Sequence, residues 1–222
     1  MRGRRPSFVS AARLGFVGSM LCAGLASAAS LTRGPYLQSV TPTTARVAFR
    51  LDATCPAQVR YGVGGDLSLT AASSATARQH AVELSGLQPG MEYSYTVEGC
   101  GVPLGTSHRF RTATGPETGE VRFAVLGDFG TGSSDQVDVA KSIQSRRPEF
   151  IITVGDNIYE SGTDAEFESN FLAPMGTLFA EVPLFPSLGN HEYVTNQGQP
   201  YLDNFYLPAN NPRGTERYYS FD

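Results

Sequence analysis

The apolar stretch near the start of the chain, Leu14 to Leu25, is too short to span a membrane. It falls below the roughly 18 to 20 residues that a spanning helix needs, and Gly15, Gly18 and Gly24 interrupt it. Acidic residues are missing from the start of the chain: none precedes Asp52, while four of the 17 basic residues (Arg2, Arg4, Arg5, Arg13) lie in the first 13 positions. A basic start, a short apolar stretch and Ala26-Ser27-Ala28 form the three parts of a secretory signal peptide, expected over residues 1–28. Membrane anchoring is the alternative that the short, broken run disfavours. The Arg4-Arg5 pair leaves the export route open, and Cys22 lacks the small residue before it that a lipoprotein signal carries. An exported protein, extracellular or periplasmic, is therefore expected, with no anchor left after cleavage.

Cysteine and histidine are scarce, at three each. Without the leader two cysteines remain, Cys55 and Cys100, an even number that suits an oxidising compartment. Basic charge is also scarce: beyond residue 28 there are 13 basic residues against 21 acidic ones, a balance of −8. Such a surface excludes a broad nucleic-acid contact, which needs a basic face. Charged residues make up 17% and hydrophobic ones 41%, with 24 glycines and 14 prolines, so the chain is globular and rich in turns.

From Leu31 to about Thr114 the pattern is one of short strands. Ala45 to Leu51 and Glu92 to Val97 alternate with period two, and turn residues recur at Gly64-Gly65, Pro89-Gly90 and Gly99 to Gly105. This spacing predicts a β-sandwich over 29–114. Thr112 to Glu120 reads as a small, polar linker. Beyond it, over 115–222, the pattern changes. Apolar runs at Val121–Leu126, Phe150–Val154 and Leu184–Leu188 predict strands. Asp135–Arg146 has helical spacing with an expected N-cap at Ser134, and Phe167–Phe179 is expected to be helical in part. Apolar strands alternating with amphipathic helices predict parallel βαβ units covered on both faces.

Each of these three runs is followed by a glycine and a residue able to bind metal. The sequences are Gly127-Asp128-Phe129-Gly130, Gly155-Asp156-Asn157-Ile158-Tyr159 and Gly189-Asn190-His191-Glu192. Alone, each is a turn, because Asp and Asn accept local backbone hydrogen bonds there. Together they describe one site, because residues just past the carboxyl ends of parallel strands converge.

This block pattern resembles that of calcineurin-like metallophosphoesterases, and Tyr159 together with Gly130 resembles the purple acid phosphatase branch. Arg33 to Gln38, Leu87 to Tyr93 and His108 to Thr112 resemble that family's N-terminal, fibronectin type III-like domain. The resemblance implies an α+β two-domain chain: a fibronectin type III-like β-sandwich, then the first part of an αββα metallophosphoesterase sandwich. It implies a secreted phosphatase that holds two metal ions, Fe3+ with Fe2+, Zn2+ or Mn2+, and cleaves phosphate monoesters by attack of a metal-bound hydroxide. Residue by residue, Asp128 and Tyr159 would bind the first metal, Asp156 would bridge both, and Asn190 would bind the second. His191 would contact the phosphate and assist the leaving group, and Glu192 would orient its neighbours.

The family uses three further metal-binding histidines from later blocks. Of the three histidines here, His80 and His108 fall in the sandwich and are expected to be ordinary strand or turn residues. Arg217 to Asp222 looks like the strand before those blocks, so the chain is expected to be either a fragment of the enzyme or a truncated gene product, inactive as it stands. The fibronectin-type topology also sets the strand that Cys55 would open beside the one that Cys100 would close, implying a disulfide, with two buried thiols as the alternative. The implied partner is a small phosphorylated substrate. A phosphodiesterase of the same superfamily and a non-catalytic secreted binding module are the other functions in view.

Overall fold

The computed structural model describes Gly3, residues 29–115 and residues 119–221. The expected signal peptide lies, Gly3 apart, outside the described residues, as do part of the linker (116–118) and Asp222.

Seven strands form the first half: β1 (Leu31–Gln38), β2 (Thr44–Cys55), β3 (Ala57–Val63), β4 (Leu69–Ala72), β5 (Ala77–Ser85), β6 (Glu92–Gly99) and β7 (Val102–Arg111). One sheet runs β4-β3-β6-β7 and faces β5-β2-β1, all of these pairs antiparallel, which is the fibronectin type III-like arrangement. Val47, Phe49, Leu51, Val59, Tyr61, Val82, Leu84, Tyr93, Tyr95, Val97 and Phe110 fill the space between the sheets. They are the inward half of each period-two pattern. The β6–β7 turn is tighter than expected, since only Cys100 and Gly101 separate the strands and Gly105 lies inside β7.

Cys55 and Cys100 are disulfide-bonded, with Cα atoms 5.3 Å apart. Cys55 closes β2 rather than opening β3, but Ala57 pairs with Gly99, so the two cysteines still meet at one end of the β3–β6 pair.

The second half contributes β8 (Phe123–Leu126), α1 (Ser134–Arg146), β9 (Phe150–Thr153) and the one-turn α2 (Asp164–Glu166). A π-helical segment, Phe167–Leu172, leads into α3 (Ala173–Glu181), followed by β10 (Leu184–Phe185), α4 (Asn190–Val194) and α5 (Gln199–Asn204). The N-cap of α1 is Ser133, one residue before the expected Ser134, because it is the Ser133 hydroxyl that accepts the Gln136 N–H. No strand forms between Arg217 and Phe221, in contrast to the sequence expectation. The third strand shrinks to Leu184 and Phe185, since Pro186 has no N–H to continue a ladder.

The strands β10, β9 and β8 are parallel, as the apolar runs predict, but they do not form a separate sheet. Gln38 pairs in parallel with Leu184, so the full order is β5-β2-β1-β10-β9-β8. The expected cover on both faces also fails at β8, where Phe123 and Val125 are about half exposed. The opposite discrepancy occurs at β1 and β2. Tyr36 and Ala48, outward-facing in a lone sandwich, are buried in a second core with Phe167, Phe171, Leu178, Phe179, Tyr201 and Phe205. Arg33, only 2% exposed, sits at this seam and bonds Glu168 at 2.8 Å, with Asp164 and Asn204 on its other nitrogens. The Tyr36 hydroxyl donates to the Asn204 carbonyl at 2.6 Å and that of Tyr95 to the Ala180 carbonyl at 2.7 Å.

Candidate active site

Parallel strands aim their carboxyl ends the same way, so the turns after β8, β9 and β10 share one rim of the sheet. Asp128 and Asp156 both adopt left-handed backbone, with φ of 54° and 50°. Asp tolerates this region better than most residues, yet two successive strands ending so is a local cost of the kind that collects at working sites. Gly155, at φ 100°, makes the turn into Asp156.

Two further glycines keep the strand ends close together. A Cβ on Gly189 would lie 2.1 Å from the Asp156 amide nitrogen and Oδ1, and one on Gly130 would lie 1.5 Å from the Asn157 carbonyl oxygen. Only hydrogen fits at either place.

The structure brings Tyr159 to Asp128: the phenol donates to the carboxylate at 2.9 Å, bridging the first and second motifs. Desolvation, and then the Asp128 carboxylate that accepts its proton, push the Tyr159 phenol up to about 12. A cation beside these oxygens would act in the opposite sense, favouring the phenolate. Asp156 Oδ1 accepts the backbone N–H of His191 at 3.1 Å, which joins the second motif to the third. The His191 ring lies 4.3 Å from that of Tyr159, centroid to centroid, and its Nδ1 is 2.6 Å from the Glu160 carbonyl oxygen. That carbonyl, followed by the Asp156 charge, raises the His191 pKa above the ordinary value. Asn190 opens α4 on the exposed rim.

Glu192 is fully buried beneath these groups. Its carboxylate accepts the N–H groups of Asn157 at 2.8 Å, Ile158 at 2.9 Å and Gly189 at 2.6 Å, tying the second motif to the third from below. Burial raises its pKa although three donors oppose the shift. Asn157, also fully buried, donates to the Ser187 carbonyl at 2.7 Å, while its own Oδ1 has no partner.

Asp128, Asp156, Tyr159, Asn190 and His191 thus share one end of the sheet, whereas His80 lies in β5 and His108 in β7. His80 is satisfied by the Ser73 hydroxyl and the Ala77 carbonyl. The candidate donors are all oxygens: two carboxylates, a phenol and an amide. Such a set fits hard cations. His191 offers nitrogen, but its Nδ1 is already held by Glu160. Among the described residues no three His, Cys, Asp or Glu side chains gather closely enough to hold a metal by themselves.

Sequence reasoning missed the backbone contacts, namely the Glu160 carbonyl at His191 and the Glu166 carboxylate that accepts the Glu160 and Ser161 N–H groups. The signal for Glu166 was readable, since Thr163-Asp164-Ala165-Glu166 has the spacing of a capping box, which the structure forms. A cavity of about 860 Å³ lies elsewhere, lined by Arg109, Arg111, Arg122, Arg147, Glu149 and Glu181 near the starts of β8 and β9.

Comparison with known proteins finds relatives of both halves of the chain. The calcineurin-like phosphoesterase family matches residues 121–221, and a domain of unknown function, DUF7800, matches residues 28–107. The chain is 32% identical over 84 residues to purple acid phosphatase 17 of Arabidopsis thaliana, a match spanning 34% of this chain and 25% of that protein. Its fold is similar to that of the purple acid phosphatase PPD1 from yellow lupin (Lupinus luteus) seeds, with a TM-score of 0.70 at 16% identity, over 81% of this chain and 42% of the lupin one. PhoD is also similar, with a TM-score of 0.56 at 16% identity, over 73% of this chain and 39% of PhoD. The chain therefore spans less than half the length of these relatives.

Proposed function

We propose, from the premise that residues 121–221 form a calcineurin-like phosphoesterase domain, that this protein hydrolyses phosphate monoesters as a purple acid phosphatase does. The observation that carries the reading is the 2.9 Å contact between Tyr159 and Asp128, which gathers a phenol and a carboxylate from two strand ends into one oxygen-rich site. Asp128 and Tyr159 would hold one cation, Asp156 would share two, and Asn190 would serve the second. Iron suits the phenolate, with Fe2+, Zn2+ or Mn2+ beside it. When bound, such a pair supplies Lewis acidity to the phosphoryl group.

The chain's own residues set the rest. His191 stands beside the oxygen donors with Nδ1 committed to a carbonyl, so Nε2 is its free nitrogen. In the protonated ring Nε2 can donate to a leaving oxygen. Glu192 fixes the peptide groups at Asn157, Ile158 and Gly189, and so the spacing between the second and third motifs.

Turnover of an aryl phosphate monoester tests this reading, measured together with metal content on the 222-residue chain and on the product of the whole reading frame. Metal-dependent hydrolysis is expected from the latter. Asp156→Asn should lose both metal and rate, and His191→Ala should keep metal and lose rate by roughly 100-fold or more. Equal loss of metal in the two variants would remove His191 from the proposed role, and turnover unaffected by Asp156→Asn would overturn the reading.

We further propose export. The Cys55–Cys100 bridge supports it, because such bonds persist in oxidising compartments. The acidic balance supports a small-molecule substrate rather than a nucleic acid. No helix among the described residues is long and apolar enough to cross a membrane.

A further inference from the structure

The segment between Tyr159 and α2 has no regular structure of its own, yet one side chain gathers its donors. Glu166 Oε1 accepts the Glu160 N–H at 2.9 Å. Oε2 accepts the Ser161 N–H at 3.3 Å and both the N–H and the hydroxyl of Thr163 at 2.9 Å. The other side of the segment is held by the Thr195 hydroxyl on the Ser161 carbonyl and by Asn170 Nδ2 on the Tyr159 carbonyl, each at 2.6 Å. Gly162 lies so close to α4 that a Cβ there would approach the Glu192 Cα to 2.8 Å. The helical turn that carries Glu166 is itself anchored, because Asp164 bonds Arg50 at 2.6 Å.

The segment presents the Glu160 carbonyl to His191 Nδ1 at 2.6 Å. A carbonyl oxygen only accepts, so Nδ1 must carry a proton whatever the charge of the ring. The neutral ring then offers the Nε2 lone pair and the charged ring offers Nε2–H.

We propose that Glu166 is a positioning residue: its carboxylate fixes the Glu160 carbonyl and thereby holds His191 as the Nδ1–H tautomer with Nε2 free for the phosphoester. The part concerning the phosphoester rests on the phosphatase reading above; the tautomer does not. A capping box needs only the bonds between Glu166 and Thr163. The bonds to Glu160 and Ser161 reach beyond it, toward the histidine.

Long-range proton–nitrogen correlation spectra of the 222-residue chain, recorded at alkaline pH where histidines are neutral, report which ring nitrogen is protonated. With three histidines in the sequence, signals are assigned by single replacement. His80 is an internal reference of the opposite kind, because its Nε2 faces the Ala77 carbonyl at 3.0 Å and must hold the proton there. The wild-type chain should show His191 protonated at Nδ1 and His80 at Nε2. Glu166→Ala should convert His191 to a mixture or to the Nε2–H form and leave His80 unchanged. An unaltered His191 beside an unaltered His80 overturns the proposal. If Glu166→Ala also disturbs His80, Glu166→Gln, which keeps the shape and one acceptor oxygen, is read against the same two outcomes. No turnover is needed, so a failed phosphatase reading leaves this result standing. In turning-over protein, kcat should fall at least about 10-fold with KM nearly constant; a raised KM at unchanged kcat overturns the phosphoester part alone.

Discussion

Gln38 and Leu184 are paired in parallel register, so a strand of the sandwich is hydrogen-bonded into the sheet whose other strands carry the candidate site. One expectation follows for dissection. Residues 115–222 alone would lack β1, and with it the partner of β10, the Tyr36 ring that fills the second core and the Arg33 guanidinium that bonds Glu168. Followed by circular dichroism on heating, that fragment should show no cooperative unfolding, whereas the whole chain should. A sharp transition in the fragment would show that the sandwich is dispensable for folding of the second half.

The glycines of the site can be weighed against each other. Gly189→Ala should destabilise by about 1–3 kcal/mol, the usual cost of forcing extra volume into a packed place, because its Cβ would meet Asp156 at 2.1 Å. Gly130→Ala, meeting the Asn157 carbonyl oxygen at 1.5 Å, should cost at least as much. Gly34→Ala is the control, with nothing within 4 Å, and should be neutral. Urea midpoints rank the three, and a neutral Gly189→Ala would refute the close packing of the second and third motifs.

Glu192→Gln keeps shape but replaces one of two acceptor oxygens by a donor that must face backbone N–H groups. About 1–3 kcal/mol should be lost, the cost of leaving buried donors unpaired. Calorimetry of the whole chain checks it, and an unchanged melting temperature would mean that the three bonds add little.

The seam between the halves should respond to acid. The Arg50 guanidinium that hydrogen-bonds Asp164 holds its carboxyl well below the usual carboxylate range. The folded state thus binds the Asp164 proton more weakly than the unfolded chain does. The resulting stability is complete at neutral pH and fades as pH falls below about 4. Asp164 is half exposed, so solvent screening limits the ionic part to about 0.5–1 kcal/mol. The stability gap between wild type and Asp164→Asn, from urea unfolding at neutral and at acid pH, should narrow in acid; a constant gap would assign no ionic role to the pair.

Much of this fold was legible because strand patterns in the sandwich alternate cleanly and the runs ending at Leu126 and Val154 do not. The three glycine-led motifs were legible as one site because each follows a strand of the same direction. What escaped has a common cause. Arg33, Tyr36 and Ala48 occupy places that look outward in a lone sandwich, and nothing in a period-two pattern tells a solvated face from one covered by a distant helix. The missing cover at β8 is the same failure reversed. Glu166 acts on backbone groups, and backbone groups have no signature in a sequence beyond the Thr163 spacing.

The Cys55–Cys100 bridge makes a covalent ring of the chain from the end of β2 to the end of β6. The exposed turn Ser74 to Thr76 lies within that ring. A protease that cuts there opens the ring without releasing either piece. The nicked protein would migrate as one species on a non-reducing gel and as two after reduction. The strands on both sides of the cut would stay tethered close enough to pair again, so a single cleavage of the sandwich need not detach the half that carries the candidate site.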